Sequence, residues 1–220
     1  MKYLARRNGG STGHMQQGSS PASAPLFAEP TPLGLLGLAV GCAALLPIAF
    51  GLTVTPAAFR TAAWFCLLFG AGCQFLAGMM SLANKNLLGG TLFTTFAFNW
   101  VINYVTLSGY AEGKVPDATV GLAVDICFLI IFVVLTFAFG YFSKLLFAFL
   151  ADIDLLYTCR ILKELTHSQS FALPIALSTV ALAGIALWLA FAILVNSSAG
   201  RTVFAVPGPL FKPATPTPAE

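Results

Sequence analysis

Charge is what this sequence has least of. Only 9% of its 220 residues are Asp, Glu, Lys or Arg, against about 25% in ordinary globular proteins. Apolar side chains make up 58%. A water-soluble fold cannot cover its surface with charges spread this thinly, so the chain reads as an integral membrane protein. The net charge is +3, with no basic run and no interleaving of aromatic and basic residues, which argues against nucleic acid as a partner. Histidine is nearly absent: His14 and His167 fall in a tail and a loop, leaving no HExxH and no His-based triad. No Gly-x-x-x-x-Gly-Lys-Ser/Thr run occurs, so no nucleotide site or ATP-driven pump is expected in the chain. Cys42, Cys66, Cys73, Cys127 and Cys159 lie in apolar segments without CxxC spacing and read as small buried side chains, not as metal ligands or disulfides. No enzyme, metal or cofactor is expected.

What is present is a series of long apolar runs. Residues 1–25 are rich in Gly, Ser and Pro and have no apolar core; they read as a disordered tail, not a secretory signal. Six spans follow, at about 33–53, 58–82, 89–110, 119–140, 143–163 and 172–196, each near the roughly 20 residues that cross a bilayer as a helix. Polar or helix-breaking stretches (VTP, NKN, EGKVPD, YFSK, THSQS) separate them. The expected organisation is all-α and polytopic: a tail over 1–29, a six-helix domain over 30–198 and a C-terminal tail over 199–220. With the N-terminus inside, Lys2, Arg6, Arg7, Lys85, Lys144, Arg201 and Lys212 fall inside and Arg60, Lys114, Arg160 and Lys163 outside. Seven against four favours both termini in the cytoplasm.

Polar residues within the spans carry the functional signal. In the third, Thr95, Asn99, Asn103 and Thr106 share one narrow helical stripe with Phe96 at its edge. The stripe must face protein or water; inter-helix hydrogen bonding and a permeation lining are both open, and the two can coexist. In the fifth span, Asp152 and Asp154 together cost roughly 5–7 kcal/mol in a membrane helix, against the roughly 3–6 returned by its Leu, Ile and Phe. Asp154 shares a face with Leu150, Tyr157 and Thr158, and Asp152 points about 160° away, so at most one can line a given path. Asp125 in span four is a third buried acid. Each is a functional candidate, with a structural pair to Arg160 or an Asn as the alternative. In span two, Gly70, Gln74 and Gly78 recur every four residues, a nearly bare face on which Gln74 bridges helices or meets a polar substrate.

The motifs resemble a known family. Pro30-Thr31-Pro32-Leu33-Gly34-Leu35 resembles the Asn-Pro-Ala-Pro-Leu-Gly-Leu signature of the acetate uptake transporter family, the bacterial succinate–acetate permeases and their fungal relatives. Glu29 stands where the family usually has Asn, and Thr31 where it has Ala or Val. Gln74 to Gly78 resembles its Gln-x-x-Ala-Gly. NLLGGTLFTTFAFNW, residues 86–100, resembles its Asn-Thr-x-Gly-x-Thr-x-Phe-Thr-Ser-Tyr-x-x-Phe-Trp run, and Gly200 to Val203 matches its Gly-Arg-Thr-Val ending. The likeness covers about residues 30–208.

The resemblance implies a six-helix plasma-membrane protein, assembled as a homohexamer in the bilayer, that moves acetate and in some cases succinate. It implies a pore in each protomer, narrowed at Leu38, Phe96 and Leu150. Leu38 replaces a Phe and Phe96 a Tyr, which keeps the ring apolar but removes bulk and a hydroxyl. The candidate substrate contacts are Pro30, Pro32, Leu33, Gly34, Leu35, Gln74, Thr95, Asn99 and Asn103. Asp154, close to the ring, is a candidate proton site. Channel conduction and proton symport stay open, as do a carboxylate sensor or scaffold that does not transport and an ammonium-linked exporter. Pro30 and Pro32 are expected to hold a bent, extended segment at the cytoplasmic mouth. Gly34, Gly37 and Gly41 are expected to bring the first helix close to a neighbour.

Overall fold

The computed structural model describes residues 25–212. The expected tail up to residue 24, with Lys2, Arg6, Arg7 and His14, and the stretch 213–220 lie outside the described residues. Six long helices follow one another: α1 (Thr31–Ala49), α2 (Pro56–Ala83), α3 (Leu87–Ala111), α4 (Ala118–Phe139), α5 (Lys144–Thr166) and α6 (Ala172–Ala199). No strand occurs among the described residues. Four segments, α1, α2, α4 and Gln169–Ala199, are long and apolar enough to span a membrane by composition alone. The other two, α3 and α5, are as long but carry the Asn, Thr, Asp and Arg residues.

The polar breaks supply the helix starts. Thr55 accepts from the Ala58 N–H at 3.1 Å, Asn86 from Gly89 at 2.9 Å, Asp117 from Val120 at 2.9 Å and Ser143 from Leu145 at 3.1 Å. Each side-chain oxygen satisfies a donor that the first helical turn leaves unpaired. The start of α1 differs from expectation. Pro30 has φ −86° and ψ −10°, so it already turns with the helix instead of holding an extended segment. Proline costs no hydrogen bond in a first turn, and Glu29 supplies the cap. Its carboxylate accepts from the Thr31 N–H at 3.0 Å and from the Thr31 hydroxyl. Just before it, Phe27 exchanges two 2.9 Å hydrogen bonds with the Asn84 side chain, which ties this segment to the α2–α3 turn.

α2 packs against α1 and α3, α5 packs against α4 and α6, and α6 returns to pack along α1. The seam between α3 and α4 is closed by Phe96 stacked on Phe132, ring centroids 4.6 Å apart. The glycine face of α1 is used as expected. Gly37 lies against Cys73 and the Phe69 carbonyl of α2, while Gly34 and Gly41 receive Phe93 and Trp100 of α3. A feature absent from the sequence reading is a π-helical stretch, Cys66–Cys73, inside α2. Its wider turn brings Gly70 so close to the Trp100 ring that a Cβ there would lie 2.5 Å from it.

The segment after α6 doubles back as a strap. The Asn196 side chain holds Val203 and Phe204, and Trp188 donates to the Ala205 carbonyl at 3.0 Å. Gly208 and Pro207 then accept from the Lys144 N–H and the Ser143 hydroxyl, and the Leu210 and Phe211 N–H groups reach the Gly140 carbonyl. Phe211 settles over Gly140 among Phe137, Tyr141 and Phe147. Most large side chains on the outer faces are apolar and exposed, including Phe75, Ile102, Ile130, Val134 and Leu177, as a surface in contact with lipid requires.

Candidate functional site

Short loops make α1, α3 and α5 run in the same direction, and their facing sides enclose two cavities. The near cavity, about 150 Å³, sits where these helices begin, lined by Thr31 and Leu35 of α1, Gln74 of α2, Asn86 of α3 and Phe149 of α5. The far cavity, about 220 Å³, sits towards their other ends, with Asn99, Asn103, Tyr157, Arg160 and Thr179 among its walls. Leu38 and Phe96 line both cavities. They are 2% and 5% exposed, so the two spaces meet across an apolar plug. Leu150 is 0% exposed and lines neither cavity. On α5 it falls between Leu146 and Phe149 at the near cavity and Ile153 at the far one.

Phe96 is held in place from behind. Phe132 stacks on it, and Phe128 and Tyr157 pack around Phe132 at ring separations of 5.7 and 5.4 Å. Phe132 is fully buried, and nothing in its own span marked it out. Its partner lies 36 residues earlier (132 − 96) in another helix, so no periodicity could reveal the contact.

The remaining sequence candidates separate. Gln74 is 1% exposed, lines the near cavity and has an Oε1 without a hydrogen-bond partner among the described residues. Leu35 lines the same space. Pro30, Pro32 and Gly34 build the start of α1 and its packing, and Leu33 is exposed on the outer face. Asn99 and Asn103 line the far cavity; Thr95 lines neither. Asp154 accepts from the Thr136 hydroxyl of α4 at 2.7 Å and lies off both cavities. Asp152 faces Ser178 of α6 and likewise lines neither. Of the cysteines, Cys42, Cys66 and Cys159 are buried, Cys73 is half-buried and Cys127 is exposed on the outside of α4, where a buried position was expected. An apolar thiol is as well placed against lipid as in a core.

Sequence reasoning placed Arg160 among the outside charges without a role in the path. Here it enters the wall of the far cavity. Its Nη2 lies 3.0 Å from Asp125 Oδ1, its Nε donates to Asp125 Oδ2 at 3.0 Å, and its guanidinium stands 5.3 Å from the Tyr157 ring centroid. That two-point pairing is one of the alternatives the sequence left for Asp125. Trp100 and Tyr157 line the same cavity; the Trp100 Nε1 is buried without a partner among the described residues, and the Tyr157 hydroxyl faces the Asn99 side chain. The far cavity is thus mostly apolar, with Asn99, Asn103, Arg160 and Thr179 among its polar lining residues. Among the described residues no cluster of His, Cys, Asp and Glu could hold a metal.

No family model matches the chain, and no curated protein matches it. Among solved structures, that of the bacterial acetate channel SatP matches with a TM-score of 0.75 at 19% identity, covering 82% of this chain and 99% of that one. At this identity the likeness establishes the fold, which is the acetate uptake transporter family fold that the motifs implied.

Proposed function

We propose that the chain carries acetate, and other small carboxylates such as succinate, across the plasma membrane through a pore in each protomer. One observation supports this above the others: two cavities lie end to end along α1, α3 and α5 and share only Leu38 and Phe96. An apolar constriction between hydrated vestibules gates by excluding water and still lets a small solute pass. In this reading Leu150 completes the ring with Leu38 and Phe96. Gln74 serves the path on the near side, and Asn99 and Asn103 on the far side. The position of Asp154, hydrogen-bonded to Thr136 and off both cavities, favours conduction of an anion over proton symport. Cytoplasmic termini and homohexameric assembly complete the proposal.

The test is uptake of labelled acetate into liposomes with pH and voltage imposed independently. Uptake that follows voltage and is indifferent to the proton gradient is the expected result. Uptake that follows the proton gradient would assign symport instead. Liposomes that take up no acetate would favour a carboxylate sensor.

A further inference from the structure

We infer that the far cavity is a binding site for the ionised carboxylate of the transported acid, with Arg160 as its anchor and Asp125 as the group that keeps the hold weak. The inference rests on the transport reading above and specifies what one vestibule does. A guanidinium carries five N–H donors, of which the contacts to Asp125 occupy one on Nε and one on Nη2, leaving three for a ligand. Asn99 and Asn103 line the same cavity, and each amide carries two N–H donors. Arg160 can only donate, which fits a ligand that only accepts, and a carboxyl group is acceptor-only when ionised. The opposite end of the cavity is formed by Leu38, Cys42 and Phe96, which suits a methyl or short alkyl chain. The acid is therefore held head to Arg160, with its tail towards the constriction.

Asp125 matters because conduction needs binding weak enough to release. A lone guanidinium would retain an anion strongly. Paired at two points with Asp125, it offers directed donors with its net charge cancelled. Asn99 stands where the resembled family run has Phe, while Trp100 beside it matches the run's Trp.

The experiment is equilibrium binding of radiolabelled acetate to the purified full chain in lipid nanodiscs, with acetamide, an uncharged shape mimic, as competitor. Parallel liposome uptake is measured on the same preparations. Wild type is expected to prefer acetate over acetamide by roughly tenfold or more, the scale of one hydrogen bond to a charged group. Arg160→Gln should lose that preference while still binding acetamide. Asp125→Asn should bind acetate more tightly and lower the maximal uptake rate. Because either change breaks an inter-helix pair, the double variant Arg160→Gln/Asp125→Asn, which keeps an amide facing an amide, is also measured. It should fold and lack the preference. A preference retained in Arg160→Gln or in the double variant overturns the inference, as does unchanged or weaker acetate binding in Asp125→Asn. Wild type that binds acetate with this preference but takes none up leaves the site standing and removes the transport reading. Uptake with unaltered half-saturation in Arg160→Gln does the reverse.

Discussion

Phe96 has two jobs, one on each face of its ring. One side closes the space between the cavities, and the other stacks on Phe132. Leu38 opposes it from α1 with 2% of its surface exposed. Removing either side chain has both a structural and a functional consequence. Leu38→Ala is expected to cost roughly 2–5 kcal/mol of stability and Phe96→Ala roughly 3–5, as for other buried truncations. Both should widen the constriction and raise uptake of succinate and lactate relative to acetate severalfold. Unchanged selectivity in both variants, measured by competition in liposomes, would remove the ring assignment. The positions of Leu38 and Phe96 could be taken from motif order, because a resemblance fixes register along each helix. Arg160 could not, since its meaning depends on Asp125, 35 residues away and in another helix.

At the scale of the element, small residues decide how closely helices approach. Gly37 is the tightest case on α1, because a Cβ there would run into Cys73 and the Phe69 carbonyl of α2. Gly37→Val should therefore destabilise the fold by about 1–3 kcal/mol, as overpacking does, seen as a lower melting temperature and poorer yield of folded protein. Gly121 of α4 has nothing within 4 Å of such a Cβ. Gly121→Ala should be neutral or gain about 0.5–1 kcal/mol from helix propensity. Equal effects at the two positions would contradict the packing described for α1. Helix limits followed the sequence within a few residues, because Pro, Asn, Asp and Ser at the breaks act through local backbone donors. The π-helical stretch of α2 did not, since it answers to the Trp100 ring packed against Gly70.

Across the whole molecule, the strap over residues 201–212 connects the end of the chain to the near cavity. It holds the α4–α5 turn at Gly140 and Ser143, and Phe139, Phe142 and Leu146 beside that turn line the cavity. Phe211→Ala should remove the ring that covers Gly140 and cost about 1–2 kcal/mol of apolar burial. The melting temperature should fall by about 2–4 °C per kcal/mol, and the uptake rate should change as the near mouth loosens. A variant identical to wild type in both would show the strap to be passive. By itself the sequence determined that the chain is a membrane protein of six helices, where each helix starts, and which of its motifs resemble those of a known family. These follow from composition, local capping and order along the chain, all of which act within a few residues. Only the tertiary structure decided that Asp154 turns to Thr136, that Arg160 enters a cavity wall, and that Leu38 and Phe96 lie between two spaces. Those outcomes depend on which helix faces stand opposite one another, and that is set by packing between residues far apart in the chain.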